Sequence, residues 1–263
     1  MGMKIGIIGY GYIGRALVER VQNSAGRFEL AFIHNRNSAV LADIEPSLQL
    51  DDLANVAETA PDLIVECAHP SFTQNYGETF LKCANYMPLS VTALADDGLR
   101  DRLEQTALEN GTKLYLPAGA LIGGEALLMR GDEWQRVRIT FRKHPDNIDF
   151  SESEYDPAQI NGETVVYEGP VRGIAHQYPR NVNTMVTCAL VSTGLDACEA
   201  RLIADPALDC AIAEVEAWSK DGSIIRTEKS APMVGVSGTE MIDSTWTSIQ
   251  RASGGLMGAN ELV

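Results

Sequence analysis

Near the start of the chain an apolar run, Met3–Gly9, meets Gly9-Tyr10-Gly11-Tyr12-Ile13-Gly14, a G-x-G-x-x-G sequence. The run has the shape of a fully buried strand, and Ile13, Ala16, Leu17 and Val21 then recur at helical spacing. At such a strand-to-helix junction the first glycine permits a tight turn and the second lets the backbone approach a pyrophosphate. The third lets helix and strand pack closely. Backbone N–H groups at Tyr12, Ile13 and Gly14 then face the phosphates from the helix start. Few folds accommodate this junction, and the residues that follow suit one of them. Phe28–His34 reads as a second strand and Leu63–Ala68 as a third, after which Pro70 opens a helix. Leu89–Thr92 and Lys113–Pro117 read as two more strands, separated by a helix start at Asp96-Asp97. Strands alternating with helices at this spacing predict a doubly wound parallel sheet over residues 1–118.

The pattern changes around Gly119–Gly124. Arg136–Lys143 alternates strictly, placing Val137, Ile139, Phe141 and Lys143 on one face and Arg136, Arg138 and Arg142 on the other. Further β-type stretches fall at Glu163–Glu168, Ala197–Asp205 and Ala211–Trp218, with an apolar helix at Asn183–Gly194. Residues 119–238 are therefore expected to form a second, α+β domain with a mixed or antiparallel sheet. A helix at about 239–254 is expected to pack back on the first domain.

Charge and cysteine usage narrow the partners. With 21 Lys+Arg against 36 Asp+Glu the net charge is −15, which speaks against neutralising a nucleic-acid backbone. The five cysteines are scattered without a CxxC pair, so neither a zinc site nor a disulfide framework is expected. No stretch has the length of a membrane span. Cytoplasmic, with no nucleic-acid, membrane or metal partner, is the expectation.

The second strand ends His34-Asn35-Arg36-Asn37, without the acid that usually accepts a ribose 2′-OH in an NAD site. Arg36 is suited to a 2′-phosphate, so NADP(H) is expected to bind at least as well as NAD(H). The alternative is a solvated arginine lying on adenine, and Asn35 belongs to the same corner.

Six segments resemble the L-aspartate dehydrogenase family over essentially the full length. They are VECAHP at Val65–Pro70, SVTALAD at Ser90–Asp96, LPAGALIGGEAL at Leu116–Leu127, VVYEGPV at Val165–Val171, YPRNVNTMVTCAL at Tyr178–Leu190, and IADPALD at Ile203–Asp209. The resemblance implies a Rossmann domain, a second substrate and oligomerisation domain, and assembly as a homodimer or larger homo-oligomer. It also implies reversible NAD(P)-dependent oxidative deamination of aspartate, through hydride transfer at the amine or imine carbon. It places Ala120 and Asn183 at the nicotinamide half of the dinucleotide. Cys67, Ala68, His69 and Ala93 follow strands whose C-terminal ends should face the cofactor. Asn181 and Asn183, at a helix start, are suited to a substrate carboxylate.

The family's catalytic His, and an Asn two residues before it, match Ala213 and Ala211 here. A second family loop, Asn-Pro-Lys-Thr-Ser-like, appears as GVSGTEM at Gly235–Met241. Both departures fall on the substrate side, which leaves open a different substrate or a non-catalytic NAD(P)-binding protein. Oxidising an amine needs a proton acceptor nearby. His69 is the best-placed remaining histidine, its alternative role being to cap the helix opened by Pro70; His144 and His176 lie in polar contexts. Lys143, on the inward face at a strand end, is the candidate cation for a carboxylate and a second candidate for catalysis.

Overall fold

The computed structural model describes residues 2–235 and 237–255. They divide into two compact units, one running up to Pro117 and resuming at Ile242, the other running from Ala118 to Met241.

The first unit opens with β1 (Met3–Ile8), α1 (Tyr12–Gln22), β2 (Phe28–His34), β3 (Leu63–Glu66), α2 (Pro70–Leu81), β4 (Asn85–Pro88) and α3 (Asp97–Asn110). The strands pair in the order β2-β1-β3-β4, all parallel. Leu17, Val18 and Val21 of α1 bury against Ile5, Ile7, Ile33, Leu63 and Val65 of the sheet. A second apolar layer holds Phe80 of α2 against Tyr86 of β4 (ring centroids 5.1 Å apart), with Leu99 and Leu103 of α3 also buried. Two such layers make the sheet doubly wound, which is the Rossmann arrangement.

The strand expected at Leu89–Thr92 falls instead at Asn85–Pro88, and the one expected at Lys113–Pro117 is reduced to a bridge, both for local reasons. β4 stops at Pro88, and Ser90 then turns away from the sheet because both its N–H and its hydroxyl bond the Glu66 carboxylate. Residues Val91–Ala95 consequently wind into a 3-10 turn. Lys113–Pro117 contributes a single parallel bridge, Leu114 to Tyr86, and Pro117 has no N–H with which to extend it.

The second unit contains α4 (Gly124–Arg130), β5 (Trp134–Lys143), β6 (Thr164–Pro170), α5 (Val171–Gln177), α6 (Asn183–Leu190), β7 (Glu199–Ala204), β8 (Ala211–Ser219), β9 (Ile224–Ala231), and the short pair β10 (Met233–Val234) and β11 (Ser237–Gly238). Its five-stranded sheet runs β6-β7-β5-β8-β9, with β5 and β7 parallel and every other pair antiparallel. Val137, Ile139 and Phe141 lie opposite Ala217, Val215 and Ala213, a small-against-large ladder on the inward face.

Strand β9 escapes a hydrophobic-pattern reading because charges occupy both of its faces. Its better signal is the Asp221-Gly222 turn that joins it to β8, where Gly222 has φ +85°.

The C-terminal helix α7 (Met241–Ala252) carries Ile249, fully buried in the core of the first unit, and Trp246, whose ring meets Phe28 edge-on at 5.1 Å. Asp243 adds an ion pair with Arg20 of α1.

Candidate functional site

The glycine turn of the first unit separates into structural and open positions. Gly9 has φ +96°, and a side chain there would press on the Cys67 carbonyl; one at Gly14 would collide with the Gly9 carbonyl. Those two glycines are demanded by the packing of β1, α1 and the end of β3. Gly11 is not: no atom lies within 4 Å of the point a Cβ would occupy, and its φ of −89° suits any residue. Helix α1 begins there with no side-chain cap and no acid in its first turn, Tyr12 exposed and Ile13 turned toward the core. Free N–H groups beside an open space fit a pyrophosphate. Gly11→Ala should therefore leave the thermal midpoint within about 2 °C while weakening NAD(P)H binding about tenfold or more in a fluorescence titration. Gly14→Ala, by contrast, should cost about 3 kcal/mol of stability or more.

At the end of β2, Asn35 accepts a hydrogen bond from the Tyr10 N–H (3.0 Å) and donates to the Asn37 carbonyl (3.0 Å), so its side chain shapes the turn. His34 is bonded to the Leu50 carbonyl at 2.7 Å. Arg36 is exposed, its guanidinium 5.8 Å from the centre of the Phe72 ring, and it forms no ion pair among the described residues.

Beyond β3, the Cys67 thiol donates toward the Ile8 and Gly9 carbonyls at 3.3 Å. Burial pushes its pKa far up, so it is packing and not a thiolate. Ala68 is exposed beside Gly9, and Ala93 is buried in the 3-10 turn. His69 caps α2: its Nδ1 accepts the Ser71 N–H at 3.2 Å and lies 2.9 Å from the Ser71 hydroxyl.

Beneath these loops lies Glu66, a residue without a role in the sequence reading although an acid inside LIVECA was its signal. Its carboxylate is fully buried and accepts the N–H groups of Ala68 (2.6 Å), His69 (2.7 Å) and Ser90 (3.1 Å) and the Ser90 hydroxyl (3.0 Å). Burial pushes its pKa up to about 7, against the pull of those donors.

A pocket in the second unit gathers most of the substrate-side candidates. Phe141 and Lys143 of β5, Ala211 and Ala213 of β8, and Lys229 of β9 line it, all on the inward sheet face. Arg180 (paired with Asp149) and Asn181 just before α6, Asn183 and Thr184 at its start, Ala120, Gly238 and Glu240 also line it. Lys143 is 5% exposed, its ammonium 3.4 Å from the Asn181 carbonyl and 5.3 Å from the Phe141 ring centre. Desolvation lowers its pKa to about 8, with Glu240 pulling the other way. The Asn181 side chain is already bonded at both ends, accepting the Asp149 N–H (2.8 Å) and donating to the Asn147 carbonyl (2.9 Å). Thr184 accepts the Ala120 N–H at 3.0 Å, which ties Ala120 to α6.

Lys229 and Glu240 were not among the candidates. They form an ion pair within the pocket, and the register sets Lys229 directly across from Ala213. The hairpin turn at Asp221-Gly222 fixes that register and was the signal for Lys229.

The remaining basic residues have other occupations. On the outward face Arg136 and Arg138 pair with Glu199, and Arg142 with Glu163 and Glu214. His144 caps the short turn Pro145–Asn147, and His176 is exposed in the last turn of α5. Among the described residues no cluster of three or more His, Cys, Asp or Glu side chains is arranged to hold a metal, and no helix is long and apolar enough to cross a membrane.

Comparison with known proteins covers both units. Residues 9–117 match the family described as homoserine dehydrogenase, NAD binding domain, and residues 126–239 match aspartate dehydrogenase, C-terminal. The chain is 36% identical over 273 residues to an aspartate dehydrogenase domain-containing protein of Xenopus tropicalis, covering 96% of this chain and 95% of that one. It is 31% identical over 208 residues to the L-aspartate dehydrogenase of Thermotoga maritima, covering 79% and 78%. A crystal structure of Thermotoga maritima aspartate dehydrogenase superposes with a TM-score of 0.74 at 27% identity, covering 98% of this chain and all of that one. A hyperthermophilic archaeal homoserine dehydrogenase in complex with NADPH shares the fold, with a TM-score of 0.60 at 12% identity, covering 96% of this chain and 98% of that one.

Proposed function

The chain belongs to the aspartate dehydrogenase family of NAD(P)-dependent oxidoreductases acting on CH–NH2 donors, and from that premise we propose that its substrate pair is L-aspartate and oxaloacetate plus ammonia. The observation that carries the reading is the pocket of the second unit, where two lysines on one sheet face converge on a small space floored by Phe141, Ala211 and Ala213. A small dicarboxylate is a ligand class that these lysines, with Arg180 also in the lining, would favour.

When bound, the nicotinamide supplies the hydride acceptor. The substrate would lose a hydride from its α-carbon to the nicotinamide and a proton from its nitrogen to solvent water, and water would convert the resulting imine to oxo acid and ammonia. Lys143 holds one carboxylate from the apolar floor, where weak screening strengthens the attraction, and the Asn181 carbonyl keeps its ammonium aimed. Lys229 offers the second cation. Gly9 and Gly14 would shape the turn whose N–H groups at Gly11, Tyr12 and Ile13 would hold the diphosphate, and Arg36, exposed and without an acid partner among the described residues, would favour a 2′-phosphate. Assembly as a homodimer or larger homo-oligomer, and operation in the cytoplasm, belong to the same proposal.

Purified protein mixed with NADPH, ammonia and oxaloacetate should consume nicotinamide absorbance in a reaction that needs all three, with NADPH at least as effective as NADH. Consumption only with another oxo acid would reassign the substrate; consumption with NADH alone would refute the 2′-phosphate role of Arg36.

A further inference from the structure

The residue that follows β2 turns its side chain toward the glycine loop, and both ends of that side chain are committed. Asn35 accepts the Tyr10 N–H at 3.0 Å and donates to the Asn37 carbonyl at 3.0 Å. Those partners fix the orientation of the amide, because an N–H can only donate and a carbonyl can only accept. His34, the residue before it, points elsewhere: its ring bonds the Leu50 carbonyl and meets Phe72 edge-on. Asn35 is half-buried and Arg36 exposed, so a ligand can touch both. A second guanidinium reaches the same turn from α1. Arg15 donates to the Tyr10 carbonyl at 3.2 Å and lies 4.4 Å from the centre of the Tyr10 ring. Neither Arg15 nor Arg36 has an ion-pair partner among the described residues. Of the acids on the surrounding elements, Glu29 is at the opposite end of β2, Glu19 is a full turn beyond Arg15 on α1, and Glu66 is buried under the loop after β3. Asp43 and Glu45 lie beyond the 3-10 turn Ser38–Leu41.

We propose that Asn35 is the specificity-determining residue of the dinucleotide site, its neutral amide keeping negative charge out of the corner where Arg15 and Arg36 would hold a 2′-phosphate. The assignment rests on the NADP(H) reading above and deepens it. The end of the second strand is where an acid accepts the ribose 2′-OH of NAD. A carboxylate there would repel a 2′-phosphate, which carries about two negative charges at neutral pH, and would compete with it for the two guanidiniums. Aspartate matches asparagine in shape, so exchanging them alters only charge and hydrogen bonding. One aspartate oxygen could keep the Tyr10 N–H. The other would face the Asn37 carbonyl, acceptor against acceptor, and would have to turn out toward solvent.

The test is titration with NADPH and with NADH, read by nicotinamide fluorescence, which needs no turnover. Wild-type protein should bind NADPH at least as tightly as NADH. Asn35→Asp should weaken NADPH about tenfold or more while holding NADH within about threefold, so that the preference moves toward NADH. A role confined to shaping the turn would weaken both cofactors alike and leave their ratio where it was. Arg15→Met should weaken NADPH about fivefold or more and leave NADH within about twofold; it decides the matter if thermal melts show that the Asp variant does not fold. An N35D protein with the wild-type ratio, or an R15M protein that weakens both cofactors equally, overturns the assignment and leaves the NADP(H) reading standing. A wild-type protein that binds NADH clearly more tightly than NADPH overturns the NADP(H) reading and the assignment together.

Discussion

Replacing Lys143 by Met should lower kcat/KM for the dicarboxylate by about 10²–10³-fold, mainly through KM, without lowering the thermal midpoint. The two halves of this expectation have opposite physical origins. Lys143 is 5% exposed and sits against Phe141, so keeping it charged costs desolvation energy, which is why its pKa falls to about 8. Methionine fills nearly the same volume without that cost, and stability should be unchanged or slightly raised. A bound carboxylate, however, loses a partner in a place where water cannot substitute. The wild type should also show an alkaline limb in kcat/KM: the lysine is charged below about pH 8 and neutral above it, so affinity for the diacid falls as pH rises through that value. K143M should lack the limb, and NADPH titration should give the wild-type value. A variant with unchanged KM and an unchanged limb would exclude Lys143 from carboxylate binding.

Lys143 also shows how much of this molecule can be read before it is folded. Strict alternation through Arg136–Lys143 separates the inward lysine from the three arginines, and the structure keeps that separation: Lys143 is buried, and the arginines lie outward in ion pairs with Glu163, Glu199 and Glu214. Local pattern suffices there because a strand has only two faces. It suffices again at Gly9–Gly14, where spacing and flanking periodicity define the turn. It fails where a distant group rewrites the local preference. Leu89–Thr92 has strand composition, but Glu66, some two dozen residues earlier in sequence, bonds Ser90 and bends the chain into a 3-10 turn. It fails also for the Lys229–Glu240 pair: the Asp221-Gly222 hairpin sets Lys229 across from Ala213, but nothing in the neighbourhood of Lys229 names Glu240 as its companion. His69 stands between these cases. Its sequence position after β3 allowed either a base or a cap, and the hydrogen bonds to Ser71 give its Nδ1 the capping role.

Glu66 supports the second large expectation. Replacing it by Ala would leave three N–H groups and a hydroxyl without acceptors in a site closed to solvent, a loss of about 3–5 kcal/mol that should lower the thermal midpoint by about 10 °C. Because those donors belong to the loops after β3 and β4, the same change should weaken NADPH binding. Glu66→Gln keeps one acceptor oxygen but sets an amide NH2 against the Ser90 N–H, so it should be milder, about 1–2 kcal/mol. The Gln variant also isolates the proton. In the unfolded chain Glu66 ionises near its ordinary value of 4.5, whereas burial holds it protonated in the fold up to about 7. Across that window the folded state binds more protons than the unfolded one, so this group's contribution to stability is full below 4.5 and is lost as pH rises to 7. The midpoint difference between wild type and E66Q should therefore be largest at the acid end and shrink toward neutrality, which thermal melts from about pH 5 to 8 would resolve. A difference that stayed constant across the range would mean that the four donors outweigh desolvation, and that Glu66 is an ordinary carboxylate holding these loops at every pH in the window.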